Sequence, residues 1–259
     1  MCCSSKRSSL RSSSPSLNPN PFTIRFAHRS SFTAEPQGVS PPVTPLEYTG
    51  RASRVEVYKC KSCGAVTRFP RFNDPKTLLS PEGRRGRCGE YANAFTCILR
   101  SVGFEARYVL DFTDHVWCEY YSYKQDRWIH IDPCEAKVDG CGVYEKGWNK
   151  KLSYIFAASK DEICDVSGKY TRKLGTPEMK QRRSLAPELV LDAMIYEIDR
   201  VHKLKRALPP QRVVELQRRR TKETEAMEAN QGKVRLGKPS SILVVASLLS
   251  LAHITSLHN

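Results

Sequence analysis

The chain has 259 residues, of which 40% are hydrophobic and 27% are charged, and its formal net charge is +15. This length suffices for one or two domains with a buried core, and it excludes a small module held together only by disulfides or a metal. A strongly basic chain attracts polyanions, but residues 35–171 carry 20 Lys and Arg against 18 Asp and Glu. The positive excess therefore lies in the flanks, and we expect no nucleic-acid partner.

Residues 1–50 are rich in Ser and Pro and show no sustained helix or strand period. Such a segment buries too little surface to offset its chain entropy, so we expect a disordered, basic leader. The lack of acidic residues before Glu35 resembles an organellar transit peptide, but the amphipathic pattern is poor and there is no apolar core for secretion. We therefore favour a disordered tail or an irregular gene-model start.

The ten cysteines are irregularly spaced and no signal-peptide pattern precedes them, which favours free thiols in a reducing compartment. Cys60 and Cys63 have the CxxC spacing of half a zinc site, because two thiolates on one tight turn can occupy adjacent corners of a tetrahedron. A structural zinc needs four ligands, and the chain has no second CxxC. A zinc half-site, a redox pair and two unrelated thiols therefore remain open.

The apolar residues after Cys88 recur at helical spacing, and Gly103 is a typical residue to follow a helix end. These apolar residues are Tyr91, Phe95, Ile98, Leu99 and Val102. Cys88 is thus predicted at a helix N-terminus, where the helix dipole and the three arginines within residues 84–87 favour a nucleophilic thiolate. The alternative is a small buried cysteine with no chemical role.

Three short runs typical of strands follow this helix. The runs are residues 104–111, 115–123 and 127–132. One helix packed on an antiparallel sheet gives an α+β core. His115 begins the second run and Asp132 ends the third, so neighbouring strands would bring the imidazole near both the carboxylate and the thiol of Cys88. Nucleophile, base and orienting carboxylate in this combination are typical of acyl transfer, although each residue alone is usually structural.

Two basic amphipathic helices are predicted at residues 185–204 and 211–229, separated by a Pro-Pro pair. Beyond them, the apolar run from Ile242 to Ala252 is shorter than the ~20 residues that span a bilayer, so we expect no stable membrane insertion. The predicted organisation is a leader (1–50), a core (51–175), a helical extension (176–230) and a tail (231–259).

Six runs of the core resemble the cytoplasmic peptide:N-glycanase family, which belongs to the transglutaminase-like superfamily. The runs are residues 53–58, 68–75, 86–90, 111–117, 128–135 and 144–152. They are long, collinear and specific. The resemblance implies a transglutaminase-like, papain-like core, and an amidase that removes N-linked glycans from misfolded glycoproteins in ER-associated degradation.

Applied to this chain, the resemblance implies that Cys88 attacks the side-chain amide carbon of glycosylated Asn. His115 then takes the thiol proton and protonates the leaving nitrogen, and Asp132 orients His115. Water hydrolyses the thioester and leaves Asp on the peptide. The backbone N–H of Cys88 is a natural oxyanion donor.

The resemblance also implies contacts to the inner sugars of the glycan. Trp117 and Glu119 lie two and four residues after His115, so they share its strand face, and Trp128 begins the next strand. Aromatic rings suit the apolar side of a sugar ring, and a carboxylate accepts hydrogen bonds from hydroxyls. We expect these three residues to bind the substrate, with a core tryptophan as the alternative for Trp117 and Trp128.

The chain departs from the family at the zinc site, which uses two CxxC pairs, whereas only Cys60 and Cys63 are present here. The layout resembles a plant-like form that lacks the first pair, so we expect weak or absent zinc binding and reduced stability. In the family, proteasome-shuttle and segregase factors are partners. The alternatives are a non-catalytic binding module of the same fold, as in DNA-damage recognition proteins, and a transglutaminase or cysteine protease acting on peptide acyl groups.

Overall fold

The computed structural model describes residues 25–26 and 34–231. The chain divides between Cys97 and Ile98 into two compact units. The tail and its apolar run lie outside the described residues, as does most of the leader up to residue 33. Among the described helices, none is both long and apolar enough to cross a membrane.

The first unit contains a small antiparallel sheet and short helices. Its described strands are β1 (Arg25–Phe26), β2 (Ala34–Ser40), β3 (Val55–Cys60), β4 (Val66–Pro70) and β5 (Arg85–Gly86). Its described helices are α1 (Pro45–Thr49), α2 (Pro75–Leu79) and α3 (Cys88–Ser101), which continues past the division. Strands β2, β3 and β4 pair in that order, and β1 pairs with β5 in parallel. Val55, Phe72 and Leu78 are buried together in the core of this unit.

The prediction of no fold up to residue 50 is wrong for residues 34–50, which form β2 and α1. A capping box begins α1: the Thr44 hydroxyl accepts a hydrogen bond from the Glu47 N–H at 3.2 Å, and the Glu47 carboxylate accepts one from the Thr44 N–H at 3.0 Å. Arg68 on β4 also donates to Glu47, at 2.7 Å. Backbone pairing and capping therefore order a segment that has little apolar surface.

The second unit is built on a six-stranded sheet in which every pair of neighbours is antiparallel. Its described strands are β6 (Ala106–Asp111), β7 (His115–Ser122), β8 (Arg127–Asp132), β9 (Lys137–Val138), β10 (Ile155–Ala158) and β11 (Ile163–Asp165). The order is β11-β10-β6-β7-β8-β9, so β7 is central. The predicted α+β class is confirmed, and so are the three predicted strands, to within two residues.

The core of this unit combines side chains from the sheet with those of a π-helical turn (Val143–Gly147) and of helix α4 (Ser167–Tyr170). Its buried members are Val109, Trp117, Tyr144, Leu152, Ile155, Ala157, Cys164, Val166 and Tyr170. The Trp117 ring stacks on Tyr144 with 4.3 Å between centroids, and its indole N–H donates to the Tyr170 hydroxyl at 2.7 Å. Each fully buried large apolar side chain stabilises the fold by roughly 1.5–3 kcal/mol, so this aromatic cluster is a principal source of stability.

The C-terminal part of the second unit is helical. Its described helices are α5 (Pro177–Arg182), α6 (Glu188–Lys205) and α7 (Pro210–Asn230). The two long helices match the predicted ones, with Pro210 as the first residue of α7. Arg107 on β6 is fully buried, and it bonds Glu223 on α7 at 2.5 Å. This buried ion pair joins α7 to the sheet.

Candidate active site

His115 begins β7 directly after a tight turn that polar residues build. The Asp111 carboxylate accepts hydrogen bonds from the backbone N–H and the hydroxyl of Thr113, at 2.9 and 2.8 Å, and Lys150 donates to it at 2.7 Å. Asp114 adopts a left-handed φ of 70°, a conformation that Asp tolerates in turns. These contacts fix the direction in which the chain enters β7, and with it the position of the imidazole.

His115 and Asp132 form a hydrogen-bonded pair inside the second unit. The imidazole Nε2 lies 2.7 Å from Asp132 Oδ2, with the His115 side chain 7% exposed and Asp132 fully buried. The other carboxylate oxygen, Oδ1, accepts the backbone N–H groups of Cys134 and Glu135 at 2.8 and 3.2 Å. Burial alone would raise the pKa of Asp132, but the hydrogen bonds, led by that from His115, hold it below its usual value. The structure therefore brings together the predicted base and its predicted orienting carboxylate.

The contact between Nε2 and the carboxylate determines what this imidazole can do. With Nε2–H donating to Asp132, the neutral His115 ring carries its acceptor lone pair on Nδ1. Nδ1 is then the atom that takes a proton from a nucleophile, and the Asp132 anion stabilises the resulting imidazolium. The pair thus has the geometry of a general base with a fixed tautomer.

Trp148 is a functional candidate to which the sequence reasoning gave no role. Its ring lies 4.9 Å from the His115 ring and 5.3 Å from the Tyr144 ring, both edge-to-face, and the residue is 41% exposed. It directly follows the π-helical turn, a feature that is frequent at functional sites. The available signal was the aromatic residue inside a run that resembles the family. Trp148 therefore offers an exposed aromatic face beside the imidazole.

Trp117 and Trp128, both predicted to bind sugar, lie inside the protein. Trp117 has no exposed surface and Trp128 is 4% exposed. The Trp128 ring packs under the guanidinium of Arg107, which is 4.2 Å from the ring centroid. Neither ring presents a face to solvent in this structure, so their burial does not support a sugar contact, which stays a prediction. Their burial fits the alternative given for each of them, that of a tryptophan in the hydrophobic core.

Glu119 is likewise buried, with no exposed surface. Its carboxylate accepts a hydrogen bond from Arg107 at 2.5 Å, is paired with Lys169 at 2.7 Å, and accepts the Tyr170 hydroxyl. Burial raises the pKa of Glu119, but attraction by Arg107 and Lys169 outweighs it and brings the pKa to about 2. Glu119 is therefore an anion whose carboxylate is already bound inside the protein, and its predicted hydrogen bonds to sugar stay a prediction that this burial does not support.

Cys88, the predicted nucleophile, lies in the first unit as the first residue of the 14-residue helix α3. The residue is half-buried and occupies the positive end of the helix dipole. The Glu90 carboxylate binds at the start of this helix. It accepts a hydrogen bond from the Arg87 N–H at 2.8 Å and forms an ion pair with Arg71 at 2.7 Å. A Cβ at Gly86 would lie 2.3 Å from the Glu90 Cβ, so the chain needs glycine just before the helix.

Arg87, one of the three arginines before Cys88, contributes less free charge than the sequence suggested. The Arg87 guanidinium donates to both carboxylate oxygens of Glu56, at 2.8 and 2.6 Å, and to the Tyr58 hydroxyl at 2.8 Å. It also lies 5.1 Å from the Phe69 ring centroid. Because Glu56 neutralises it locally, Arg87 holds the helix start against β3 and β4 more than it stabilises a thiolate.

Cys60 ends β3, and Cys63 follows on the exposed turn. The Cys60 Sγ lies 3.1 Å from the Ser62 hydroxyl, and hydrogen bonds from Ser62 and Cys63 lower the pKa of Cys60 to about 6, which favours the metal-binding thiolate. Across the described residues, no group of three or more His, Cys, Asp or Glu is placed to hold a metal. These two thiols alone do not make a four-ligand zinc site, and the expectation of weak binding stays a prediction.

Comparison with protein families gives two matches. A model of the transglutaminase-like superfamily matches residues 37–133, and a model of the Rad4 transglutaminase-like domain matches residues 112–230. The chain is thus similar to transglutaminase-like domains over residues 37–230. Among solved structures, a crystal structure of Rad4-Rad23 crosslinked to undamaged DNA is 15% identical with a TM-score of 0.41, covering 61% of this chain and 36% of that one. A likeness at this level carries no argument.

Curated relatives confirm the resemblance to peptide:N-glycanases. The peptide-N(4)-(N-acetyl-beta-glucosaminyl)asparagine amidase of Arabidopsis thaliana is 45% identical over 194 residues, which cover 75% of this chain and 26% of the relative. The amidase of that name from Oryza sativa subsp. japonica is 57% identical over 48% of this chain and 27% of its own length. That of Gallus gallus is 52% identical over 58% of this chain and 22% of its own. The chain thus spans about a quarter of the length of these relatives.

Proposed function

We propose that this chain is an amidase that cleaves the bond between the innermost N-acetylglucosamine and Asn of N-glycoproteins. The observation that carries the proposal is the buried His115–Asp132 pair, found in a chain that is 45–57% identical to relatives named for this activity. Cys88 at the start of α3 is the proposed nucleophile. Its assignment rests on the sequence motif and on its position at a helix N-terminus.

The proposed reaction has two acyl-transfer steps. The Cys88 Sγ attacks the side-chain amide carbon while its proton passes to His115 Nδ1, and that proton is then donated to the leaving nitrogen as the C–N bond breaks. The glycosylamine departs and later loses ammonia. Water next gives a proton to His115 and its oxygen attacks the thioester carbon. As the C–S bond breaks, His115 returns that proton to the Cys88 sulfur, which leaves the thiol on the enzyme and Asp on the peptide. Asp132 stabilises the imidazolium in both steps.

For substrate contact, we propose Trp148 in place of the three buried residues of the sequence prediction. Its exposed ring lies 4.9 Å from His115, and aromatic faces suit the apolar side of a sugar ring. We further propose misfolded glycoproteins in ER-associated degradation as substrates, the cytoplasm as location, and proteasome-shuttle and segregase factors as partners. These proposals extend the family resemblance.

The test is deglycosylation of a denatured N-glycoprotein by the wild type and by Cys88→Ala. In water labelled with oxygen-18, the amidase converts each glycosylated Asn to labelled Asp, which peptide mass spectrometry detects, and Cys88→Ala abolishes the conversion. Folded wild-type protein that releases no glycan, or a Cys88→Ala variant that retains the activity, would contradict the proposal. Incorporation of an added amine, or cleavage of the peptide chain, would instead indicate a transglutaminase or a protease.

A non-catalytic binding module is the second candidate, favoured by the match of residues 112–230 to the Rad4 transglutaminase-like domain. A binding module has no need of an ionised carboxylate held against a histidine inside the protein. The His115–Asp132 pair therefore supports the amidase, and the mass-spectrometric test separates the two.

A further inference from the structure

A second histidine, His130, lies behind the His115–Asp132 pair on β8. It is fully buried, and burial lowers its pKa to about 4, so the ring is neutral at neutral pH. Its Nδ1 accepts the backbone N–H of Gly140 at 3.2 Å. Its Nε2 lies 2.7 Å from the hydroxyl oxygen of Tyr144.

These contacts fix the direction of a chain of hydrogen bonds. Because Nδ1 of the neutral His130 ring is an acceptor, its single proton must lie on Nε2, which donates to Tyr144. The Tyr144 hydroxyl has one proton, which it donates to Asp132 Oδ2 at 2.8 Å. The chain therefore runs from Gly140 through His130 and Tyr144 into the carboxylate oxygen that also bonds His115.

We propose that Tyr144 and His130 are positioning residues that hold the Asp132 carboxylate in the orientation in which Oδ2 meets His115. Asp132 then has a fixed partner for each oxygen: two backbone N–H groups on Oδ1, and Tyr144 together with His115 on Oδ2. The carboxylate cannot rotate without breaking one of these bonds. The kinetic consequence rests on the proposed amidase function, whereas the geometric consequence does not.

Packing alone does not require these polar groups. The Tyr144 ring stacks on Trp117 and touches the rings of His115 and Trp148, contacts that Phe would keep. A buried hydroxyl and a buried imidazole must each be fully hydrogen-bonded to avoid a large desolvation cost. Their presence in the core is explained by what they do to Asp132.

The test compares Tyr144→Phe with Tyr170→Phe, which is a matched control. Tyr170 is also buried in this core, accepts a hydrogen bond from an aromatic N–H, that of Trp117, and donates to a carboxylate, that of Glu119. Both variants lose a buried hydroxyl, so both lose stability by similar amounts in urea unfolding. Only Tyr144 contacts Asp132.

The first readout is kinetic. We expect Tyr144→Phe to lower kcat about tenfold, the equivalent of about 1.4 kcal/mol, with KM unchanged within about twofold, because the substrate does not contact the buried hydroxyl. Tyr170→Phe retains kcat. His130→Gln, which keeps a side-chain N–H donor at similar reach, retains more kcat than His130→Leu.

The second readout is independent of activity. In protein labelled with nitrogen-15 at histidine, the Nε2–H proton of His115 is assigned by its loss in His115→Gln. We expect its resonance to shift in Tyr144→Phe, because Oδ2 loses a competing donor, and to stay in place in Tyr170→Phe. An unshifted resonance with an unchanged kcat in folded Tyr144→Phe overturns the inference, as do equal effects in both tyrosine variants. If the wild type releases no glycan, the proposed function fails, while the resonance test still decides this inference.

Discussion

Replacing Glu119 with Gln tests whether this residue stabilises the fold or binds sugar, as the sequence suggested. The change keeps the side-chain shape but removes the negative charge. In the structure, that charge faces Arg107 and Lys169 from a position with no exposed surface. We therefore expect Glu119→Gln to destabilise the fold. In the fraction of the variant that is folded, KM should equal that of the wild type.

The expected loss in the free energy of unfolding can be estimated from the buried ion pairs. Removing one partner of such a pair typically costs about 3–5 kcal/mol, because the other charge stays buried without compensation. Glu223 still pairs with Arg107 at 2.5 Å, and Lys169 is 15% exposed, so water compensates part of its charge. The expected loss in the free energy of unfolding is therefore at the lower end, about 3 kcal/mol.

Urea unfolding followed by tryptophan fluorescence measures this loss, because the three tryptophans of the chain, Trp117, Trp128 and Trp148, all lie in the second unit. Glu197→Gln is the control: its ion pair with Arg200 is 51% exposed on the Glu side. Such a surface pair contributes at most about 1 kcal/mol. A Glu119→Gln variant that unfolds at the wild-type urea concentration but shows a raised KM would refute the structural assignment.

The stability difference between the wild type and Glu119→Gln should depend on pH. The pKa of Glu119 is about 2 in the folded protein, below its ordinary value of 4.5, so its ionisation stabilises the fold fully above about pH 4.5. That contribution is lost as the pH falls from 4.5 towards 2. Gln has no carboxylate to titrate, so the stability difference between wild type and variant should shrink over this acid range. A difference that stays constant across the range would contradict the assigned pKa.

Three further predictions concern the exposed ring, the helix start and the thiol pair. Trp148→Ala should raise KM for glycopeptide several-fold with little loss of stability, since the ring is 41% exposed; an unchanged KM in steady-state assays would contradict its proposed contact. Gly86→Ala should cost about 1–3 kcal/mol by overpacking against Glu90, and lower activity by displacing the start of α3; urea unfolding and amidase assays measure both. Zinc titration against a chromophoric chelator should show weak binding that Cys63→Ser abolishes, whereas one tightly held zinc per chain would contradict the half-site formed with Cys60.

The proximity of His115 and Asp132 was predictable because it depends on local order. Strands joined by short turns are usually neighbours in the sheet, and antiparallel neighbours place the start of one strand beside the end of the next. His115 begins β7 and Asp132 ends β8, so both lie at the same end of this hairpin. Strand periodicity and turn residues were sufficient to place this pair.

The order of residues 34–50 was missed because β2 offers no apolar period. Its five central residues are all exposed, and the backbone pairing with β3 orders them. A readable signal did exist four residues later, where Thr44, Pro45 and Glu47 have the spacing of a capping box with Pro in the first turn. Composition averaged over 50 residues hid that local signal.

The burial of the predicted substrate contacts could not be read from the sequence, for a different reason. Alternation along β7 correctly put His115, Trp117 and Glu119 on one face, but period two does not reveal whether that face meets solvent or a second layer. Here the face is covered by the π-helical turn and α4, whose residues contact Trp117 from far along the chain. Only three-dimensional packing distinguishes a cleft-lining tryptophan from a core tryptophan.

The burial of these side chains restricts how a substrate reaches the imidazole. Three aromatic rings contact His115 in the described structure, those of Trp117, Tyr144 and Trp148, and Asp132 occupies its Nε2. Trp117 and Tyr144 have no exposed surface, so neither leaves room for a ligand between itself and the imidazole. Trp148 alone among these rings is open to solvent, with 41% of its surface exposed. This exposure supports the proposed sugar contact at Trp148, because it is the only one of these three rings with a face that a ligand could reach.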